Sequence, residues 1–505
     1  MADDVRPAPG GTAGEGSTDP AARRTEADAP DVPGSADLTE RPTELERVVG
    51  WFDTRLGLAT TVRVAMRKVF PDHWSFLLGE VALFAFIILV ATGTYLTLFY
   101  TPDGREVTYQ GPYQTLQGAS VSAAYASVMR LSFEVQAGLL MRQVHHWTAL
   151  VFLGAIAVHL ARVFFTGAFR RPREVNYLVG IGLLLMALGE GITGYSLPDD
   201  LLSGTGLRII DSVILSVPFV GPWIASLFFG GTFPTVGILS RLFVFHVMLL
   251  PLLLIGGVTT HLLILWFQKH TQYRGHGARE DNVVGLPFWP GQVFRSMGLF
   301  FLTAAVITLV AGLIQINPVW LYGPYVPYVA TVPAQPDWYV GWLEGALRLG
   351  LPIEPTILGV TIPSPFVPGV LIPGLLVTLL ALWPFLEARL THDHTEHNLL
   401  DPPWRTPIRT ATGAAGVAVF LVLTLAGGND VLAVMLDLPV ENVTMAFRVL
   451  LVLAPVLTWL IVYRMARDVR DGHERRAREG LEPEPAAILL VRGAAGGFRE
   501  AEHEP

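Results

Sequence analysis

Eight stretches of this chain are apolar for about twenty residues at a time, and no other property limits its fold so strongly. A helix needs roughly 20 apolar residues to cross the hydrocarbon of a bilayer. The stretches lie at about 75–99, 137–161, 176–197, 239–266, 293–316, 366–388, 410–428 and 445–464. In lipid every backbone N–H and C=O must be satisfied within the chain, so runs of this length become helices. Charged residues make up 15% of the sequence, against roughly 25% in a soluble domain. The expected fold is therefore an all-α membrane protein with eight transmembrane helices.

Basic residues set the expected orientation. Arg55, Arg63, Arg67 and Lys68 precede span one, Arg170, Arg171 and Arg173 follow span two, and Lys269, Arg274 and Arg279 follow span four. Arg389, Arg405 and Arg409 follow span six, and Arg464, Arg467 and Arg470 close span eight. The alternate loops are long yet carry few, chiefly Arg105, Arg130, Arg208 and Arg348. By the positive-inside rule the first set is cytoplasmic, which puts both termini in the cytoplasm of a multi-pass plasma-membrane protein. Residues 1–45 are rich in Ala, Gly, Pro, Asp and Glu without apolar period and read as a disordered tail. No signal peptide is expected, and residues 466–505 read as a polar cytoplasmic tail whose short run "AAILLV" is a docking strand or nothing. The net charge of −8 comes mostly from acids in the tails, and no nucleic-acid partner is expected.

The chain has no cysteine. That removes disulfides, thiolate iron–sulfur clusters, thiolate zinc sites and covalently attached c-type haem, leaving histidine or methionine to hold any redox centre. Histidines do occur inside the spans, where an imidazole is costly. In "RQVHHWTALVFLGAIAVHLAR", His145 and His159 are fourteen residues apart. At 100° per residue they share one helix face, about 21 Å apart along the axis, whereas His146 and His159 are about 140° out of phase. His246 and His261 in span four are fifteen apart, about 60° over four turns and still on one side, with Pro251 a kink site between them. Two helices with two inward histidines each, about 20 Å apart, suggest two stacked b-type haems held by His145/His246 near the outer face and His159/His261 near the inner. The first four spans then form a di-haem four-helix bundle. Gly79, Gly93, Gly154, Gly191, Gly194, Gly256 and Gly257 would let a flat porphyrin approach backbone. Arg142 and Arg162 flank the span-two pair and are propionate candidates, unless they merely snorkel to the interface.

With these features the chain resembles the cytochrome b subunit of cytochrome bc complexes, over roughly residues 45–465. The "H…HLAR" of span two, "GYSLP" at Gly194–Pro198 and "QPDWY" before span six fall in family order. Details such as "FPDHWSFLLGE", "HLARVFFTGAFRRPRE", "GYSLPDDLLSG" and "WFQKHTQ" resemble the actinobacterial branch. The family usually has Pro-Glu-Trp-Tyr where this chain has Pro336-Asp337-Trp338-Tyr339, one methylene shorter at the acid. Where proteobacterial and mitochondrial members have "LPW", this chain has "LPDD". The resemblance implies a di-haem half at 46–270 and a second four-helix half at 271–465 that carries the "PDWY" loop.

It further implies a respiratory quinol–cytochrome c reductase that oxidises menaquinol at an outer site and translocates protons. One electron goes to a Rieske iron–sulfur subunit and the other crosses through two haem b groups to an inner quinone site. A cytochrome c subunit, an aa3-type cytochrome c oxidase in a supercomplex and a homodimeric complex are the implied partners. Pro336, Asp337, Trp338 and Tyr339 would line the outer site together with Tyr195, with Asp337 accepting a quinol proton and Tyr339 hydrogen-bonding beside it. Read alone, Asp337 after Pro336 is equally a turn or helix cap.

Two further membrane acids require a reason. Glu190 is placed on a proton exit route from the outer pocket and Glu80 on an uptake route near the inner one, or each is a neutral, hydrogen-bonded structural acid. The inner site is less sharply marked, with Trp266, Lys269, His270 and Trp74 as candidates. "THDHTEHN", with His392, His394 and His397, reads as a solvated loop in preference to a metal cluster. The competing classes are a di-haem b anchor of a quinone-linked dehydrogenase, which would lack the "PDWY" loop, and a multi-span transporter without redox function.

Overall fold

The computed structural model describes residues 43–329, 335–480, 490–492 and 498–500. The expected tail at 1–45 falls almost wholly outside them, while Glu44–Leu56 forms a helix, followed by Leu58–Met66. The chain divides into two units, Met1–Arg63 and Val64–Pro505, and all eight apolar helices belong to the second.

Spans one to four are Trp74–Thr97, Gly138–Phe165, Glu174–Tyr195 and Ile238–Gln268. Spans five to eight are Phe288–Leu313, Val367–Thr391, Pro407–Ala426 and Val440–Arg478. Span eight runs well past the expected limit of 464 because its polar end still has helical reasons to continue. Arg467–Asp471 and Arg470–Glu474 pair at i,i+4, 3.5 and 3.7 Å apart, which supports an exposed helix. At the end of the apolar run of the C-terminal segment, Leu490–Arg492 pairs antiparallel with Phe498–Glu500.

Spans one and two pack closely, as do three with four and seven with eight. Ala85, Phe86, Phe152, Leu153, Ala187 and Leu254 make the core of the first four spans, and Tyr339 from the loop before span six enters the same cluster. Large apolar side chains on spans five, six and eight, such as Phe301, Leu309, Leu379 and Val452, face outward, as a lipid-facing surface requires.

Connectors between odd and even spans are long and structured. At this end lie a hairpin pairing Glu106–Thr108 with Ser120–Ser122, and the helices Ala123–Phe133, Leu201–Leu215, Gly221–Phe229, Trp338–Leu349 and Asn429–Leu436. The opposite end is closed by short pairings, Val69–Pro71 with Gly285–Pro287 and Gln272–Tyr273 with Leu399–Leu400. There the buried Arg409 grips the Glu387 carboxylate with Nε at 2.9–3.0 Å, tying span seven to span six.

Candidate functional site

Span four is an α-helix interrupted by a single π-turn at Phe245–Leu249, and His246 sits in it. A π-turn accommodates one extra residue, and Pro251 immediately after it has no N–H to continue the α ladder. The fifteen-residue spacing of His246 and His261 therefore behaves as fourteen, matching His145 and His159 on span two. The backbone irregularity keeps both pairs in phase.

The rings of His145 and His246 face each other, with centroids 6.1 Å apart and planes at 80°. A metal held by an imidazole nitrogen on each side at about 2.0–2.1 Å would separate two ring centroids by about 6 Å. Their remaining nitrogens are already engaged. His145 Nδ1 lies 2.9 Å from Thr92 Oγ1, whose own proton goes to Ile88 O. His246 Nδ1 lies 3.0 Å from Glu190 O and 3.2 Å from its Oε1. Such contacts fix ring orientation and leave Nε2 for a ligand.

Behind each of the four histidines stands a glycine. A Cβ at Gly93 would lie 3.1 Å from the His145 ring, at Gly79 3.2 Å from His159, and at Gly180 3.6 Å from His261. At Gly194 it would collide outright with His246. Gly79/Gly93 and Gly180/Gly194 are both fourteen apart, the spacing of His145 and His159 and the one that the π-turn gives in effect to His246 and His261. Gly180 escaped the sequence reading although that repeat marks it. Of the other glycines expected to admit a porphyrin, Gly154 faces Trp338, Gly191 faces Tyr339 and Gly257 packs on Leu183, while a Cβ at Gly256 would meet no protein atom within 4 Å. Arg142 donates to Asn317 O at 2.9 Å but its buried Nε has no partner, and Arg162 has Nε and Nη2 both buried and unpartnered. Four imidazoles, glycines behind them of which three leave too little room for a Cβ, and unsatisfied guanidinium donors fit a pair of b-type haems with their propionates.

The space around His145 and His246 is a cavity of about 360 Å³ that continues to Asp337, Tyr339, Tyr195, His146 and Asp200. Asp337 occupies the N-cap position of Trp338–Leu349 yet makes no capping hydrogen bond. Its Oδ2 lies 2.7 Å from His146 Nε2 instead, and its Oδ1 accepts from Asn317 Nδ2 at 3.3 Å. His146 thus faces away from His159, as helical phase required, and toward the loop before span six. The sequence held no signal for this partner, because 191 residues separate the two.

Tyr339 is buried, and Gly191 leaves room for its ring. Burial and the neighbouring Asp337 carboxylate push its hydroxyl well above the ordinary value, so it stays a protonated donor. Tyr195 brings a buried hydroxyl with no partner to the same space and sets its ring 6.4 Å from that of His146. Pro336 and Trp338, expected in the same lining, are not part of it: Trp338 is 37% exposed and faces Gly154. Successive residues at a helix start point in different directions, and only the second and fourth of the motif point inward.

Glu190 also lines the cavity, its Oε2 buried without a partner. Glu80 turns the other way, toward span five, where Gln292 Nε2 and Ser296 Oγ donate to its two oxygens at 2.6 and 2.8 Å. At the opposite end Trp266 and His270 gather with Phe70 and Lys68, whose ammonium sits 4.2 Å over the Trp266 ring and bonds its carbonyl. Burial, with Lys68, Arg173 and Arg162 adding to it, brings His270 down to about 4, so the ring is neutral. Lys269 and Trp74 point elsewhere, the first to Asp281 O at 3.1 Å and the second 67% exposed. His397 pairs with Asp393 at 2.9 Å, and no cluster of three or more metal-binding side chains occurs among the described residues.

Residues 150–324 match the family model described as cytochrome b(N-terminal)/b6/petB. The chain is 45% identical over 461 residues to the cytochrome bc1 complex cytochrome b subunit of Streptomyces coelicolor, covering 91% of this chain and 84% of that one. It is 45% identical over 454 residues to the subunit of the same name from Mycobacterium tuberculosis, covering 90% and 82%. Among solved structures, a hyperthermophilic respiratory complex III shares the fold, with a TM-score of 0.61, 21% identity, and coverage of 83% of this chain and 99% of that chain.

Proposed function

This chain belongs to the cytochrome b family of cytochrome bc1 complexes, and from that premise we propose that it oxidises menaquinol at the Asp337 end of the bundle. It is a multi-pass membrane subunit that binds haem b, as membership implies. His145 with His246 and His159 with His261 would hold two such groups, which supply the one-electron carriers between the ends of the bundle when bound. Residues 46–270 are assigned to that di-haem half and residues 271–465 to the half that brings Asp337. The Asp337 end is assigned to the outside, with both termini cytoplasmic. A Rieske subunit takes the first electron of each quinol and an inner quinone the second. The cytochrome c subunit, a second copy of the complex and an aa3-type oxidase are proposed as its assembly partners.

The chemistry asked of the protein is modest. A quinol hydroxyl in the cavity would be hydrogen-bonded by Tyr339 and would give its proton to Asp337, which His146 and Asn317 hold in one orientation. A carboxylate placed in this way acts as a general base without needing to swing. Glu190 holds the His246 ring from behind, and its contact with that nitrogen favours a positioning task over a route for protons. At the inner end, neutral His270 and Lys68 beside Trp266 would hydrogen-bond a quinone oxygen.

One observation carries the reading: a cavity that joins the facing His145 and His246 rings to an acid whose side chain avoids its cap and points inward. The test is a quinol-reduced optical spectrum of the purified complex together with turnover of Asp337→Asn. Two b-type haems per chain and a variant that keeps both while losing quinol oxidation support it. A colourless complex would overturn it.

A further inference from the structure

Span three ends at Tyr195, and the chain then turns through Asp199 and Asp200 into the helix Leu201–Leu215. Asp200 caps that helix: its Oδ1 accepts from Ser203 N at 2.8 Å while its own N–H reaches Ser203 Oγ at 3.1 Å. A cap needs only an oxygen, and Asn or Ser serves nearly as well. Yet the residue here is a full carboxylate, 3% exposed and lining the cavity, with no ion-pair partner among the described residues. Asp199 next to it is half-buried and holds a left-handed φ of 53°, a conformation that Asp tolerates better than most side chains. The turn is pinned by Leu201 N donating to Gly323 O at 2.9 Å and Tyr325 N to Asp199 O at 3.0 Å. Asp200 is thus fixed in the cavity wall at the Asp337 end, with Asp199 beside it on the connector side. Burial raises both carboxyls, Asp199 to about 6.

The cavity side of Asp200 faces Arg142 and His146 of span two and the Tyr195 hydroxyl. Tyr125 and Tyr322 face it from the connectors. Asp199 faces the Ser122 hydroxyl, Tyr100 and Tyr325. Arg142 is held by Asn317 O rather than by the acid, so its charge steadies Asp200 without locking it in an ion pair. The unpartnered Tyr195 hydroxyl lies within electrostatic reach of Asp337 on one side and Asp200 on the other.

We propose that Asp200 and Asp199 carry the quinol proton from Asp337 to the aqueous face, with the Tyr195 hydroxyl between them. The inference rests on the quinol-oxidation reading above. Asp337 takes the proton from the quinol oxygen. Tyr195 accepts it through cavity water and gives its own proton to Asp200, ending as it began. Asp200 hands a proton to Asp199, which releases it to water beside Ser122. Asp337, Tyr195, Asp200, His146 and Arg142 gather the polar groups of an otherwise apolar lining at one side of the cavity, and water held by such groups would bridge them where direct contact is lacking. The route needs no group beyond these side chains and that water.

The assembled complex carrying Asp200→Asn keeps its helix cap, because Asn caps as well as Asp. Turnover with quinol is measured from acid to alkaline pH, in water and in deuterium oxide. The expected result is a kcat lower by about ten-fold or more, an unchanged KM and a larger solvent isotope effect. Asp199→Asn, which touches no cap, gives the same pattern more weakly and stands in should the first variant fail to assemble. Wild-type kcat and isotope effect at every pH in both variants overturn the proposal. Asp337→Asn runs in parallel. If it loses activity while both neighbours are normal, the exit route falls and the quinol site stands; if it too is normal, the quinol site falls with it.

Discussion

His146 Nε2 lies 2.7 Å from Asp337 Oδ2, although the residue before it, His145, faces a different helix. The two side chains are 15% and 10% exposed, so removing one leaves the other buried without its partner. Adjacent histidines therefore serve different ends. His146→Leu is expected to keep both haems and to lose about ten- to a hundred-fold in quinol turnover, the rate equivalent of about 1–3 kcal/mol. His146→Gln, which restores a donor, recovers part of that loss. His145→Leu loses the outer haem and keeps the inner. Optical spectra with turnover separate the cases, and an outer haem missing from His146→Leu contradicts the assignment.

The glycines give a second, independent series. Valine at Gly93 or Gly194 places carbon against the His145 or His246 ring and is expected to remove the outer haem alone. Valine at Gly79 or Gly180 acts on the inner haem alone. Alanine grades the effect by clearance: Gly194→Ala is severe, and Gly180→Ala, with 3.6 Å of room, is nearly silent. Haem content per chain, read from reduced-minus-oxidised spectra, checks the order. Equal losses from all four would contradict the two-level arrangement.

How much of this was legible in the chain depends on distance along it. The eight spans are composition and length, and the His145/His159 face is pure helical phase, so both could be read directly. The His246/His261 spacing could be read as same-sided, but the π-turn that makes it so is a backbone event without a fixed sequence signature. Gly180 was legible and overlooked, since its fourteen-residue step to Gly194 repeats that of Gly79 to Gly93. The contact of His146 with Asp337 was not legible at all, because it depends on how a long connector folds back over span two. The "LPDD" acids stood out as a departure, while the placement of Asp200 in the cavity wall came only from the turn that Gly323 and Tyr325 hold.

Glu190 borders the ring of His246 from behind. Its backbone O accepts from His246 Nδ1 at 3.0 Å and its Oε1 lies 3.2 Å from the same nitrogen in a buried setting, where an ionised side chain would make the imidazole a stronger donor to metal. Glu190→Gln is expected to retain the outer haem and to raise its midpoint potential, with about 60 mV corresponding to 1.4 kcal/mol for one electron. The inner haem keeps its potential. Redox titration of the two α-bands tests this, and an unchanged outer potential rules out the contact as a tuning device.

Asp199 makes a claim on stability as well as on proton movement. Its carboxyl rises from 3.8 unfolded to about 6 in the fold because burial disfavours the charged form. The folded state therefore binds more protons than the unfolded state between those values, and stability falls as pH rises through that window. Above about pH 6 the penalty is complete, up to about 3 kcal/mol; below about pH 4 it vanishes. Asp199→Asn removes the charge and keeps the shape, and Asn accepts the left-handed φ equally well. The variant complex should resist thermal unfolding better than the parent at pH 7.5, with the advantage shrinking toward pH 4. A gain that grew on acidification would contradict the burial argument. A more stable variant that also turns over more slowly would show why an acid is retained where an amide holds the fold better.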